Sequence, residues 1–246
     1  MVFSSVTFLM FFLPLVLVLY YSLSGLKWKN SILLLFSLLF YSWGEPLCVL
    51  LMIFSICINY IFALCIANQR NSGRNCLKKV LLIFCVIANL SILFYFKYFN
   101  FAMRILHVNI IKEVVLPIGI SFYTFQILSY VVDVYRNPLC VQKNILDLGL
   151  YISFFPQLIA GPIVRYHDID SQIRNRKVSL ESFTDGVKRF VIGLGKKVLL
   201  ANTFAVYADT VLNLNSNEYS VLYAWGGCYH TRFKYISIFQ GTLTWQ

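Results

Sequence analysis

Apolar runs of membrane-spanning length recur along this sequence, with short charged gaps between them. Leu47 to Ala67 is the longest clean example, and Val80 to Phe96 follows after a basic gap. About 20 apolar residues in a helix match the hydrocarbon thickness of a bilayer, where backbone polar groups must bond internally. With 59% hydrophobic and 13% charged residues, the chain lacks the polar surface of a soluble domain. We therefore predict an all-α integral membrane protein built as a multi-pass helical bundle.

Three less regular apolar segments add to this bundle. Ser4 to Tyr21 lacks the basic start and the cleavage site of a signal peptide, so we expect a retained first span. Ser31 to Trp43 is short and predicts either a thin-membrane span or a re-entrant piece. Val187 to Leu212 contains Lys196 and Lys197, which predict either snorkelling or a helix end at that point.

The composition of the segment Val114 to Tyr135 differs from that of a lipid-facing helix. Its small and polar residues recur at steps of three and four and would share one helical face: Gly119, Tyr123, Gln126, Tyr130 and Asp133. A mid-membrane carboxylate costs on the order of 2.5 kcal/mol unless it faces protein or a wet cavity. We predict that this stripe lines a sheltered space. For Asp133, an interfacial pairing with Arg136 or a capping role is the alternative interpretation.

The segment Ile145 to Pro162 is apolar but interrupted by Pro156, Gly161 and Pro162. Interrupted backbone at membrane depth must be shielded by protein or water. Basic residues flank the segment on both sides, and they can share one side of the membrane only if the segment enters and leaves by the same face. We therefore predict a re-entrant segment. A proline-kinked helix packed through small residues is the alternative.

The net charge of +11 belongs to the gaps between apolar runs. Such basic gaps are typical of cytoplasmic loops, so we place Lys27, Lys29, Arg136 and Lys143 in the cytoplasm and the N-terminus outside. No basic stripe interleaved with aromatics indicates nucleic-acid binding, and contact with the lipid bilayer explains the charge. The seven cysteines show no metal-ligand spacing, so we expect no metal site.

The only sizeable polar region runs from Arg165 to Arg189. Within it, Ser179 and Ser182 form a weak capping pattern for an interfacial helix. His167 has charged neighbours that could tune it, yet a lone histidine is usually solvated, and we assign it no chemical role.

Four blocks, in order, resemble the bacterial branch of the membrane-bound O-acyltransferases, in particular the membrane subunit of alginate O-acetyltransferase. The blocks are Met1–Ser5, Leu116–Arg136, Phe155–Arg165 and Gly193–Asn202. The resemblance implies a bundle around a funnel through the bacterial inner membrane. It also implies transfer of an acyl group from a cytosolic thioester donor, such as acetyl-CoA, to hydroxyls of a surface polysaccharide such as alginate or peptidoglycan. An extracytoplasmic acetyltransferase is the implied protein partner, and no bound cofactor is expected.

The stripe and the break together give the candidate residues for this funnel. They are Tyr123, Gln126, Tyr130, Asp133, Pro156, Gln157, Gly161, Pro162 and Arg165. Gln126, Tyr130 and Asp133 would orient the acceptor, whereas Arg165 would attract an anionic donor or uronate. We assign no catalytic residue, because the catalytic histidine of the family belongs to a later, tryptophan-rich block.

We expect residues 1–225 to form the N-terminal part of an incomplete membrane-bound O-acyltransferase fold. Residues 226–246 depart from the family pattern, and we interpret them as a divergent tail from a shifted reading frame or a premature stop. Two other functions stay open. Broken helices and a polar stripe also occur in small-solute transporters, and the chain could be a non-catalytic membrane fragment.

Overall fold

The computed structural model describes residues 5–44, 46–69, 75–107, 114–158, 161, 164–176, 179–213, 225–233 and 235–236. Helices account for most of these residues, and no strand occurs within the described ranges. Three helical stretches are long and apolar enough to cross a membrane, namely Pro46–Asn68, Cys76–Ile105 and Leu180–Val211. The chain is therefore an all-α membrane protein, as its composition predicts. It divides into unit 1, Met1–Ile159 with Ile163–Arg176, and unit 2, Ala160–Pro162 with Lys177–Gln246.

Unit 1 contains eight described α-helices and two short helices of other types. The α-helices are α1 (Leu13–Ser22), α2 (Leu26–Ser42), α3 (Pro46–Asn68), α4 (Asn75–Ile105), α5 (Ile120–Arg136), α6 (Ile145–Ser153), α7 (Phe155–Leu158) and α8 (Tyr166–Asn175). A π-helical stretch, Phe8–Phe12, leads into α1, and a 3-10 turn, Pro138–Cys140, follows α5.

Several helix bounds differ from those predicted. Helix α2 begins at Leu26, so the short run from Ser31 is the second part of a 17-residue helix. Helix α4 has 31 residues and extends beyond both ends of the predicted run from Val80 to Phe96. The stripe helix starts only at Ile120, because Pro117 lacks an N–H group and Gly119 has a φ of 77°, which breaks the helical path.

Helix α5 lies at the centre of unit 1. Its stripe side is buried, with Tyr123 at 1% exposure and Tyr130 at 0%, while Phe122 and Phe125 on the other side are 39% and 45% exposed. It packs against α3, α4, α6 and α8. The predicted polar stripe therefore faces protein. This placement avoids the free-energy cost of exposing polar groups to lipid.

Helix α6 begins and helix α8 ends beside the same residue of α2. Helix α6 starts beside α2, where Asp147 accepts a hydrogen bond from Asn30 Nδ2 at 2.9 Å. After the break at Phe154, the Phe155 N–H donates to Ser37 Oγ at 3.2 Å, two turns further along α2. The chain then comes back, because Asn30 Nδ2 also donates to the Ile173 carbonyl of α8 at 3.1 Å. The re-entrant interpretation itself stays a prediction, because residues 159, 160 and 162 of the segment lie outside the described residues.

Basic residues gather at the end of unit 1 where this segment enters. Lys78 at the start of α4 has its Nζ 4.7 Å from the ring centre of Tyr135, near the end of α5. Tyr60 of α3 donates a hydrogen bond to the Lys143 carbonyl at 2.6 Å. We call this the basic end. The gaps predicted to share one side of the membrane lie together here.

Unit 2 contains α9 (Leu180–Gly195), a π-helical stretch (Lys196–Ala201) and α10 (Asn202–Leu212), followed by helical residues 225–233. The predicted cap is confirmed, because Ser179 Oγ accepts a hydrogen bond from the Ser182 N–H at 3.1 Å. Of the two alternatives given for Lys196 and Lys197, the helix end does not occur. The backbone widens into a π-helical stretch there and continues.

Candidate functional site

Three buried tyrosines from three helices meet inside unit 1. Tyr166 of α8 lies edge-on to Tyr130 of α5 and to Tyr151 of α6, with ring centres 5.2 Å apart in both pairs. Each ring is at most 2% exposed. Aromatic pairs in this geometry contribute about 0.5–1.5 kcal/mol beyond their buried area. This tyrosine cluster therefore holds α8, which we call the returning limb, against α5 and α6.

Hydrogen bonds through Gln142 connect the cluster. The Gln142 backbone N–H donates to Tyr130 Oη at 3.0 Å, and its Nε2 donates to Tyr166 Oη at 2.8 Å. Tyr166 Oη in turn donates to Asp170 Oδ1 at 2.5 Å, which also accepts from Arg174 Nε at 2.7 Å. Burial raises the pKa of the Tyr166 hydroxyl, so it remains a neutral donor to Asp170. A continuous chain of hydrogen bonds thus runs from the buried interior to the exposed face of α8.

Gln126 and Tyr151 join α5 to α6 next to this cluster. Gln126 is 3% exposed, and its Nε2 donates to the Tyr151 carbonyl at 2.7 Å. The Tyr151 hydroxyl donates to the Val164 carbonyl, also at 2.7 Å. Tyr151 therefore joins α6 both to α5 and to the residues just before α8. Part of the predicted stripe thus bonds the backbone of the interrupted segment.

Asp133 is the ionisable member of the stripe. It is half-buried, and its Oδ2 atom is buried without a hydrogen-bond partner in the described part of the chain. Burial, followed by the charges of Asp133 and Asp170, raises the pKa of Cys140, which lies in the 3-10 turn after α5. Within the described ranges, no ion pair joins Asp133 to Arg136, whose side chain is exposed. The alternative of an Asp133–Arg136 pair is therefore not the one that this structure adopts.

The residues of the break lie in less uniform surroundings. Gln157 is 6% exposed, Gly161 is buried, Pro156 is half-buried, and Arg165 is exposed at the start of α8. Pro162 lies outside the described residues. Among the hydrogen bonds and ion pairs described, none links the Arg165 side chain to the stripe. The structure thus brings Tyr123, Gln126 and Tyr130 together on one face and leaves Arg165 at the surface.

The start of α5 contacts the end of α7, in the interrupted segment. A Cβ atom on Gly119 would lie 3.2 Å from the Leu158 carbonyl oxygen and 3.8 Å from Leu158 Cγ. Only glycine combines this close approach with a φ of 77° at low cost. The two blocks singled out in the sequence, around Gly119 and around Pro156, are therefore neighbours in the fold.

A second polar group at the basic end was not expected from the sequence. Asn30 donates to Asp147 and accepts from Arg176 Nη2 at 2.9 Å, while Arg176 Nε donates to Tyr20 Oη at 2.7 Å. Asn144 Nδ2 also donates to Asp147, at 2.9 Å. These contacts tie the end of α8 to α1, α2 and α6.

Amides, phenols and a half-buried carboxylate inside a helical bundle suit the binding of polar ligands. Phenol and amide groups donate and accept hydrogen bonds, so they can orient a hydroxyl or a carbonyl group. A carboxylate such as Asp133 accepts a hydrogen bond or a proton. The chain is therefore a membrane protein whose helical bundle encloses polar groups that are able to bind a polar ligand.

Comparisons with known proteins identify the family. The model of MBOAT, the membrane-bound O-acyltransferase family, matches residues 139–245. The chain is 40% identical over 218 residues to the probable alginate O-acetylase AlgI of Pseudomonas syringae pv. tomato, a match that covers 85% of this chain and 42% of that relative. The chain belongs to the membrane-bound O-acyltransferase family.

Two further relatives support this assignment. The probable alginate O-acetylase AlgI of Pseudomonas aeruginosa is 39% identical over 85% of this chain and 41% of its own length. The peptidoglycan O-acetyltransferase of Helicobacter pylori is 31% identical over 92% of this chain and 49% of its own length. The chain thus spans less than half the length of these relatives. No solved structure matches it.

Proposed function

We propose that this chain is part of a membrane O-acetyltransferase that transfers an acetyl group from a cytosolic thioester donor, such as acetyl-CoA, to hydroxyls of a cell-surface polysaccharide. The observation that carries the proposal is the similarity, over 85% and 92% of the chain, to relatives named alginate O-acetylase and peptidoglycan O-acetyltransferase. In such a transfer the hydroxyl oxygen forms the new ester bond, the carbon–sulfur bond of the thioester breaks, and the hydroxyl proton passes to a base. Alginate and peptidoglycan are the candidate acceptors.

The stripe residues would orient the acceptor. Gln126 and Tyr130 are buried beside the returning limb, and Asp133 Oδ2 is a buried acceptor without a hydrogen-bond donor among the described residues. A sugar hydroxyl could supply that donor, because a buried carboxylate oxygen is stabilised by each hydrogen bond it receives. These residues bind and orient in this proposal, and none of them is assigned as the catalytic base.

The basic end would face the cytoplasm of a bacterial inner membrane. Lys29, Lys78 and Lys143 lie at this end of unit 1, and positively charged loops are typically retained on the cytoplasmic side. Arg165 is exposed and would attract the anionic donor. The product would then pass outward to the polysaccharide, either directly or through an extracytoplasmic acetyltransferase. The protein would be multi-pass, with the lipid bilayer around its apolar surface.

Acetate released from the surface polysaccharide by mild base tests this function. Strains with the gene, without it, and with the gene restored should differ, and the restored strain should recover the released acetate. An Asp133→Asn variant should lower the released acetate at unchanged protein level, whereas Lys188→Gln in the exposed part of α9 serves as a control. Equal acetate with and without the gene contradicts the proposed activity. Substrate flux into vesicles without acetyl transfer would instead indicate a transporter.

A further inference from the structure

Two cationic side chains at the basic end approach the same tyrosine ring. Lys29 Nζ lies 5.0 Å from the ring centre of Tyr20, and the guanidinium carbon of Arg176 lies 5.2 Å from it. At most roughly 10 Å therefore separates the two charges. Both side chains are half-buried, and Tyr20 itself is 8% exposed.

The protein holds Arg176 firmly in this position. Its Nε donates to Tyr20 Oη at 2.7 Å, and its Nη2 donates to Asn30 Oδ1 at 2.9 Å. Both acceptors are neutral and buried. Arg176 is therefore oriented by polar contacts that do not compensate its charge.

The nearby carboxylate, that of Asp147, accepts hydrogen bonds from two asparagine side chains and makes no contact with Lys29 or Arg176 among the bonds described. Asp147 accepts from Asn30 Nδ2 through Oδ1 and from Asn144 Nδ2 through Oδ2, both at 2.9 Å. The Asn30 amide thus stands between Asp147 and Arg176. Within the described part of the chain, no ion pair involves Lys29 or Arg176. A half-buried cation has lost part of its hydration, and an opposite charge stabilises it.

We propose that Lys29 and Arg176 form a phosphate-binding site at the basic end. An oriented guanidinium matches the oxygen geometry of phosphate, and the lysine ammonium adds a flexible second charge. Trp28, next to Lys29, is 68% exposed, as is typical of an anchor at the membrane–water interface. The phosphate belongs either to a lipid headgroup or to a soluble nucleotide that approaches the same end.

Binding by the purified full chain in detergent distinguishes these sources without any acetyl transfer. Native mass spectrometry would compare dioleoylphosphatidylglycerol with dioleoylglycerol, which has the same tails and no phosphate. A parallel titration would compare adenosine 3′,5′-bisphosphate with adenosine, which has the same nucleoside and no phosphate. Selective binding of the phosphate-bearing partner in at least one pair is the expected result. Equal binding within both pairs would overturn the proposal.

Variants connect the binding to the two side chains. Lys29→Gln with Arg176→Gln should weaken binding of the phosphate-bearing ligand at least tenfold, and Arg176→Lys should retain more binding than Arg176→Gln because it keeps the charge. Lys79→Gln removes an exposed cation from the same end and should bind like the unchanged chain. Equal weakening by Lys79→Gln would mean unspecific charge attraction and would overturn the site. Thermal unfolding of each variant checks that Arg176→Lys and Arg176→Gln are comparably folded.

Discussion

Tyr166 donates a hydrogen bond to Asp170 one turn further along α8, with 2.5 Å between Oη and Oδ1. The same hydroxyl accepts from Gln142, and the same ring packs edge-on against two other tyrosines. Tyr166 is thus the residue at which the returning limb is attached to the rest of unit 1. Its hydroxyl and its ring make separate contributions, and two substitutions can separate them.

Tyr166→Phe should destabilise the protein by about 1–3 kcal/mol, because the buried Gln142 amide loses its acceptor. Tyr166→Leu should destabilise it more, by a further 0.5–1.5 kcal/mol or so for each lost ring contact. Unfolding of the purified chain in detergent, followed by circular dichroism, measures both. Tyr95→Phe, at a position 48% exposed, is the control and should change stability by less than about 0.5 kcal/mol. Equal stability of Tyr166→Phe and the unchanged chain would contradict this prediction.

The loss of stability at alkaline pH should depend on the Tyr166 hydroxyl. Burial raises its pKa above the ordinary value of 10.0, so folding favours the neutral phenol. The corresponding stability is fully present below about pH 10 and is lost as the pH rises through the higher pKa of the folded state. The free energy of unfolding, measured between pH 8 and pH 12, should therefore fall less steeply for Tyr166→Phe than for the unchanged chain. Parallel curves would show that ionisation of this residue does not contribute.

Gly119→Ala should destabilise unit 1 by about 1–2 kcal/mol, since an L-residue disfavours the left-handed backbone found there. The new Cβ would also lie 3.2 Å from the Leu158 carbonyl oxygen. Gly186→Ala is the matched control, because it lies within α9 and a Cβ there meets nothing within 4 Å. That change should be neutral or stabilising by up to about 1 kcal/mol. Thermal unfolding of the two variants should therefore shift in opposite directions or differ clearly.

Asn59 and Asn89 exchange side-chain hydrogen bonds between α3 and α4, at 3.0 and 2.7 Å. Asn89→Leu alone should cost about 1–3 kcal/mol, because the buried Asn59 amide loses two of its hydrogen bonds and keeps only those to Ser55 and Cys85. The double change, Asn59→Leu with Asn89→Leu, should cost less than the sum of the single changes, since neither amide remains. A double-mutant cycle in detergent measures this coupling. Strict additivity would mean that the two amides do not stabilise each other.

The central helix illustrates how far the sequence leads. The steps of three and four between Tyr123, Gln126 and Tyr130 are enough to predict a shared face, and that face is buried. The helix begins at Ile120 and not at Val114, because Pro117 and Gly119 interrupt the helical backbone. Sequence alone also predicts the cap at Ser179, since a serine three residues before a second polar residue is a local pattern.

The remaining parts of the candidate site depend on contacts between distant segments. Gln142 lies in a connection between helices, where no periodic pattern indicates that it would join Tyr130 to Tyr166. Likewise, Tyr20 and Arg176 are 156 positions apart and meet only because the interrupted segment returns. Asp133 Oδ2 has no hydrogen-bond partner among the described residues, and the alternative interpretation of a pair with Arg136 followed from sequence proximity alone. Local patterns carry no information about such meetings.

The contacts of Asn30 also affect the order in which the chain can assemble during synthesis. This residue lies in α2, yet its hydrogen-bond partners Asp147 and Ile173 follow 117 and 143 positions later. At a synthesis rate of about 5–20 residues per second, their arrival takes on the order of ten seconds. Until then the Asn30 amide must be hydrated, or held by the insertion machinery. The polar contacts of α2 are therefore complete only after α6 and α8 have been made.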